Sequence, residues 1–67
     1  MELQINGRIE KLPDGISLSQ LIGIRGIKQM ETVAVELNGE ILRREDFENI
    51  RLKEHDKLEI LSLIGGG

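Results

Sequence analysis

The sequence ends in three consecutive glycines, Gly65-Gly66-Gly67, and this end of the chain offers the clearest chemistry. Glycine has no Cβ, so a glycine tail adopts almost any backbone conformation and can pass through a channel too narrow for a side chain. It also leaves the α-carboxylate of Gly67 sterically bare. A carboxylate becomes a good electrophile once it is joined to AMP, and a sulfur nucleophile can then displace the AMP. The pattern therefore favours a tail whose terminal carboxylate is activated by a partner enzyme.

Two other interpretations of the tail remain open. Chain ends fray and tolerate glycine, and glycine-rich remnants can be left behind by cloning. However, the tail directly follows an apolar segment, and it carries none of the serine or tag residues typical of such remnants. A functional tail is therefore the preferred interpretation, and an inert tail on an interaction domain is the alternative.

The titratable residues do not form a pattern typical of a catalytic or metal site. His55 stands alone in a charged turn, and the chain has no second histidine and no cysteine to share a metal ion. Glu45, Asp46 and Glu48 fit an exposed, charged helical turn. Because no nucleophile–base pair is evident, the chain is not expected to be an enzyme or to bind a cofactor or metal itself.

Length and composition limit the architecture and the partners. The chain has 67 residues, no cysteine and a formal net charge of −3, which indicates one small domain without disulfides. Its nine Lys and Arg are scattered and Phe47 is its only aromatic residue, so nucleic acid is not expected as a partner. Because neither a signal peptide nor an apolar run of membrane-spanning length is present, we expect a cytoplasmic protein without membrane contact.

The start of the chain is typical of a β-hairpin. Residues 2–5 alternate between polar and apolar side chains, and Asn6-Gly7 follows them. Asn-Gly is a strong hairpin signal because a type I′ turn needs positive φ at both central positions. Residues 8–12 are then predicted to return antiparallel, with Ile9 facing the core.

A short helix is predicted next. Ser17 and Gln20 have the spacing of a capping box, in which each side chain bonds the other residue's backbone N–H. The apolar residues that follow share one helical face; they are Leu18, Leu21 and Ile22. A helix of about two turns is too short to be stable alone, so it must pack on a sheet.

The second half of the chain is predicted to supply the remaining strands. Residues 33–37 alternate ahead of a second turn at Asn38-Gly39, and a short strand follows at residues 40–42. Residues 43–49 are interpreted as a surface turn or helical turn held by Phe47. The last strand is predicted over residues 57–64.

This order of elements predicts an α+β fold. One mixed sheet of four to five strands, with one main helix packed on one face, is the β-grasp or ubiquitin-like arrangement. The predicted organisation is a β-grasp domain over residues 1–64 and a flexible glycine tail over residues 65–67.

The predicted last strand carries apolar residues on both faces. Leu58 and Ile60 are in phase for one face. Because one helix covers only one face of a sheet, the apolar residues of the other face are interpreted as an exposed patch that binds a partner beside the tail. This predicted patch consists of Leu61, Leu63 and Ile64. Glu36 and Glu59 around it could steer a basic partner surface.

Four segments together resemble a known family, the ThiS sulfur carrier proteins of thiamin biosynthesis. The segments are Val33-Ala34-Val35, Asn38-Gly39-Glu40-Ile41, Asp56-Lys57-Leu58-Glu59-Ile60 and Ile64-Gly65-Gly66-Gly67. The likeness covers the whole chain. This chain departs from the family's pattern at His55, where members commonly have glycine, and at Phe47, where they often have tryptophan.

The resemblance implies a mechanism and a set of partners. An E1-like, ThiF-like adenylating enzyme would use Mg-ATP to activate the carboxylate of Gly67, with Gly65 and Gly66 giving it access. Sulfur from a cysteine-derived persulfide on a sulfur-donor enzyme would convert the carboxylate to a thiocarboxylate. A ThiG-like thiazole synthase would then take the sulfur. A carrier for molybdopterin or another sulfur-transfer pathway, or a ubiquitin-like modifier, remain as alternatives.

Overall fold

The computed structural model describes residues 1–63, apart from the side chain of Met30. In chain order its strands and helix are β1 (Glu2–Ile5), β2 (Arg8–Lys11), α1 (Leu18–Ile24), β3 (Val33–Leu37), β4 (Glu40–Ile41) and β5 (Lys57–Ser62). Short 3-10 helices occupy Met30–Thr32 and Arg44–Asn49. The predicted elements are thus all present, with the last strand ending at Ser62 among the residues described.

The strands form one mixed, five-stranded sheet in the order β2-β1-β5-β3-β4. Strands β1 and β5 are far apart in the chain but are neighbours in the sheet, where they run parallel. Every other neighbouring pair is antiparallel. With α1 packed on one face, this is the predicted α+β, β-grasp fold. The first and last strands therefore lie side by side in the middle of the molecule.

The start of α1 confirms the predicted capping box. The backbone N–H of Gln20 donates to Ser17 Oγ at 3.1 Å, and the backbone N–H of Ser17 donates to Gln20 Oε1 at 2.8 Å. Both bonds satisfy donors that the first turn of a helix would otherwise leave unpaired. Ser17 is itself buried, so this cap also fixes how the chain enters the core.

The core lies between α1 and the sheet and is almost entirely aliphatic. Leu18, Leu21 and Ile22 are fully buried on the inner face of the helix, as their spacing predicts. Phe47, the only aromatic residue, projects from the Arg44–Asn49 helix and is 1% exposed. The sheet contributes alternate residues of its three central strands: Leu3, Ile5, Val33, Val35, Leu58 and Ile60.

Positive φ angles occur where the sequence predicts them. Asn6 and Gly7 have φ of 50° and 83°, and Asn38 and Gly39 have 51° and 88°. These values are those of type I′ turns. His55 also has a positive φ, 69°. Histidine enters this region more readily than most residues, so the turn keeps a glycine-like backbone.

The prediction that Ile9 faces the core is wrong. Because the Asn6-Gly7 turn contains two residues, Ile5 pairs with Arg8 and Ile9 pairs with Gln4. Directly opposite residues share a face of the sheet, so Ile9 lies on the face opposite the core side chains of β1. Its side chain is 64% exposed. The alternation of polar and apolar residues in β2 does not by itself show which face Ile9 lies on, because the length of the turn sets the register between β1 and β2.

Replacing Gly23 with alanine should stabilise the protein by about 0.5–1 kcal/mol. Gly23 lies inside α1, its φ is not positive, and no heavy atom lies within 4 Å of an added Cβ. Alanine therefore improves helix propensity without a clash. Urea denaturation would measure the gain, and a loss of stability would contradict this description of the helix. Gly26→Ala is the matched contrast, because φ is +81° there and alanine should destabilise.

Candidate functional site at the end of strand β5

Strand β5 leads from the core toward the predicted glycine tail. It lies between β1 and β3, with Leu58 and Ile60 buried against the helix. Ile64 of the predicted patch and the predicted tail residues Gly65, Gly66 and Gly67 lie outside the described residues. The predicted boundary between the domain and the tail, after residue 64, and the predicted role of Gly67 therefore stay predictions.

Pairing with β3 holds β5 from Leu58 to its end at Ser62. Five residue pairs join the two strands, from Leu37–Leu58 to Val33–Ser62. One step further, the backbone N–H of Leu63 donates to the carbonyl oxygen of Thr32 at 2.6 Å. The chain is thus fixed by backbone hydrogen bonds up to the last described residue.

Asn6 holds the other edge of β5 where β1 ends. Its Oδ1 accepts from the backbone N–H of Ile60 at 2.7 Å, and its Nδ2 donates to the Ile60 carbonyl oxygen at 3.1 Å. The side-chain amide thus makes the two bonds that another strand residue would make. Asn38 acts similarly at the start of β5, where its Oδ1 accepts from the backbone N–H of Lys57 at 2.9 Å. Both turn asparagines therefore also align β5.

Replacing Asn6 with glycine should destabilise the domain by about 1–2 kcal/mol. Glycine keeps the positive φ of the turn but removes both hydrogen bonds to Ile60, so the loss isolates the side-chain contribution. Amide hydrogen exchange at Ile60 should accelerate, and urea denaturation should show the lower stability. Gly7→Ala offers a contrast in the same turn, because it introduces backbone strain and leaves the Asn6 amide in place. Unchanged protection at Ile60 in Asn6→Gly would contradict this role.

The outer face of the sheet, opposite α1, carries exposed apolar side chains beside the end of β5. Leu61 is 62% exposed and Leu63 is 65% exposed, as predicted for the patch. Ile41 on β4 is 77% exposed. Leu61 and Ile41 line an open groove of about 590 Å³, which also includes Ala34, the register partner of Leu61. We call this depression the outer groove.

Two carboxylates also line the outer groove. Glu36 of β3 and Glu59 of β5 are direct register partners, and both are half-buried. Glu36 pairs on its other side with Ile41. The structure therefore brings the two predicted steering residues together with Leu61 on one surface.

Sequence reasoning missed two members of this region, Ile41 and Asn6. Ile41 follows the Asn38-Gly39 turn, and a two-residue turn there already pairs it with Glu36, so the register was a usable signal. Asn6 was assigned to turn formation alone, because its contact with Ile60 spans 54 positions in the chain and leaves no local pattern.

The described part of the chain offers no alternative site for metal chemistry. Among residues 1–63, no three His, Asp or Glu side chains come together in a way that could hold a metal ion. None of the helices in the same range has the length and apolar character to cross a membrane.

Two known proteins are similar to this chain in sequence over its whole length. The chain is 36% identical over all 67 residues to a thiazole synthase from Paramagnetospirillum magneticum, although it spans only 20% of that protein's length. It is 37% identical to the uncharacterized protein ycf40 of Pyropia yezoensis and spans 93% of it.

The fold is also that of solved structures. The crystal structure of the thiamine biosynthesis protein ThiS from Geobacter metallireducens superposes with a TM-score of 0.84, at 36% identity and with both chains covered completely. A solution structure of a thiamine biosynthesis protein from the same organism gives the same TM-score and is covered to 88%. The family model for ThiS matches residues 2–67. The chain therefore belongs to the ThiS family.

Proposed function

We propose that this protein is a sulfur carrier for thiamin biosynthesis, and that Gly67 carries the sulfur as a C-terminal thiocarboxylate. The observation that supports this most strongly is the ThiS family match over residues 2–67, which includes the glycine end. The protein then acts as a cosubstrate of other enzymes. Its folded domain supplies recognition, and its backbone carboxylate supplies the reacting group.

Loading of the carrier takes two chemical stages. First, an oxygen of the Gly67 carboxylate attacks the α-phosphorus of Mg-ATP on an E1-like adenylating enzyme, which forms the acyl-adenylate and releases pyrophosphate. Second, a sulfur nucleophile attacks the acyl carbon, and AMP leaves with the oxygen that had joined it to that carbon. When a protein persulfide is the donor, a thiol then cleaves the acyl disulfide and yields the thiocarboxylate together with a new disulfide.

The two glycines before the terminus help this chemistry because they let the tail enter the adenylating site. An adenylating site must place an oxygen of the Gly67 carboxylate in line with the bond between the α-phosphorus and the leaving pyrophosphate, and small misplacements are costly. Gly65 and Gly66 lack side chains that would hinder entry into such a site. The exposed residues Leu61 and Leu63, together with Ile64 of the sequence prediction, are proposed as the surface that docks the partner while the tail is inserted.

The acceptor of the sulfur is proposed to be a thiazole synthase. The relative from Paramagnetospirillum magneticum that matches the whole chain bears that name, which favours the thiamin branch over a carrier for molybdopterin. The structural neighbours from Geobacter metallireducens are likewise thiamine biosynthesis proteins.

Sulfur transfer from the loaded carrier tests the assigned pathway. The thiocarboxylate form should return to the carboxylate form when it is incubated with thiazole synthase and that enzyme's remaining substrates, and thiazole phosphate should appear in equal amount. The matched control replaces thiazole synthase with the large subunit of molybdopterin synthase and its precursor. Transfer to that system alone would contradict the thiamin assignment.

A further inference from the structure

Asn6 and Asn38 each precede a glycine, and this neighbour makes an asparagine side chain chemically labile. Once the backbone nitrogen of the glycine has lost its proton, it can attack Cγ of the asparagine, because no side chain blocks its approach. The side-chain nitrogen then leaves as ammonia, and a five-membered succinimide ring forms. Water opens this ring at either carbonyl carbon and leaves aspartate or isoaspartate. The net reaction consumes a water molecule and releases an ammonia molecule, without oxidation or reduction.

Hydrogen bonds hold both side-chain amides away from this reaction in the folded chain. Asn38 Nδ2 donates to Asp56 Oδ1 at 3.0 Å, and Asn38 Oδ1 accepts from the backbone N–H of Lys57 at 2.9 Å. The Asn6 amide is also bonded at both of its polar atoms, in each case to the backbone of Ile60. Each amide must leave its partners before its Cγ can meet the attacking nitrogen. The rate at each site therefore depends on how easily the turn opens.

The two turns differ in the contacts that opening would break. The Asn38-Gly39 turn leads into β4, an edge strand of two exposed residues that is joined to β3 by two register pairs. The hydrogen bonds of the Asn38 amide are themselves exposed to water. The Asn6-Gly7 turn joins two strands through four register pairs, and its amide makes part-buried bonds to a central strand. Because segments with few buried contacts open most easily, Asn38 should leave its partners more often than Asn6.

We propose that Asn38 is a site of spontaneous covalent modification in the folded protein, where its amide is converted to aspartate or isoaspartate while the fold protects Asn6. The reacting groups are the Asn38 side chain, the backbone nitrogen of Gly39 and water, so the modification needs no enzyme. The inference depends on the two turns and on the bonds of their amides. It is independent of the proposed function.

The modification has a structural consequence because a carboxylate at position 38 would face Asp56. Asp56 supports the turn before β5, since its Oδ2 accepts from the backbone N–H of Lys53 at 2.8 Å. Its carbonyl oxygen accepts from the backbone N–H of Gln4 at 2.9 Å. Conversion of the Asn38 amide replaces the donor to Asp56 Oδ1 with a second negative acceptor, so a hydrogen bond becomes a repulsion. The modified chain should therefore be less stable at the start of β5.

The stability of designed variants tests this consequence. Asn38→Asp should lower the Tm by about 4–8 °C, and the loss should be smaller at high salt because salt screens exposed charges. Adding Asp56→Asn should recover most of the loss, since the new amide can donate to the carboxylate while its oxygen still accepts from Lys53. Asn49→Asp is the matched control, because it changes the net charge equally at an exposed position. A Tm of Asn38→Asp equal to that of the control would overturn the proposed effect on the turn.

Peptide mapping of the aged protein tests the site itself. The original chain would be incubated at mildly alkaline pH, folded and in urea, and the conversion of each asparagine to acid would be followed by mass. The ratio of the unfolded to the folded rate gives the protection at each site and removes intrinsic differences between the two sequences. Protection should be at least about tenfold greater at Asn6 than at Asn38. Asn49 should react slowly in both states, because the branched side chain of Ile50 hinders the attack. Equal protection at Asn6 and Asn38, or greater protection at Asn38, would overturn the proposal.

Discussion

Gly66→Val is expected to lower the rate of sulfur loading at Gly67 by about a hundredfold or more, the scale on which small misplacements at a reacting centre act. A branched side chain at this position would hinder entry of the tail into a narrow adenylating site and displace the carboxylate from the α-phosphate. Gly66→Ala should be intermediate, because a single methyl group restricts the tail less. Loading rates would be followed as pyrophosphate release at saturating Mg-ATP and sulfide.

A glycine elsewhere in the chain provides the control for this effect. Gly23→Ala also replaces a glycine, but in α1, and should load at the rate of the original chain. The Tm of Gly66→Val should equal that of the original chain, because no residue of the core is changed. Normal loading of Gly66→Val would show that the tail does not need to be free of side chains.

Phe47→Ala is expected to destabilise the domain by about 3–5 kcal/mol. The ring is 1% exposed and belongs to the cluster of buried apolar residues, so its removal leaves a cavity in the core. A domain of this size has a total stability of roughly 3–10 kcal/mol, from 0.05–0.15 kcal/mol per residue. The substitution should therefore remove about a third or more of the total stability, as measured by a lower urea midpoint in circular dichroism.

Two substitutions show whether this loss comes from packing. Phe47→Leu keeps most of the apolar volume and should cost considerably less than Phe47→Ala. Leu61→Ala removes a side chain that is 62% exposed and should change stability by no more than about 0.5 kcal/mol. Equal stability of Phe47→Ala and the original chain would contradict the description of Phe47 as the ring that anchors the Arg44–Asn49 helix.

Short sequence patterns were sufficient to predict most of the fold. The Ser17–Gln20 capping box and the Asn6-Gly7 and Asn38-Gly39 turns each depend on contacts within four residues, and the structure confirms all of them. The apolar stripe of α1 likewise follows from helical spacing alone. Such features are set by backbone geometry, so neighbouring residues specify them.

Features that depend on register were harder to predict. Ile9 fits an alternating strand, but the two-residue turn places it opposite Gln4 and away from the core. The pairing of Glu36 with Glu59 and the contact of Asn6 with Ile60 both require β5 to lie beside strands far away in the chain. No local pattern encodes those alignments. The exposure of Leu61 could be predicted without the register. A sheet has two faces and one helix covers only one of them, so the apolar residues of β5 on the other face had to be exposed.

The mass of the intact protein after activation tests the central claim most directly. The chain would be incubated with its adenylating enzyme, Mg-ATP and sulfide, and then compared with a variant lacking Gly67. The carrier proposal predicts a gain equal to the difference between one sulfur and one oxygen, located at Gly67 by fragmentation and absent from the variant. An unchanged mass in the original chain, while the enzyme activates another ThiS-family carrier, would contradict the proposal.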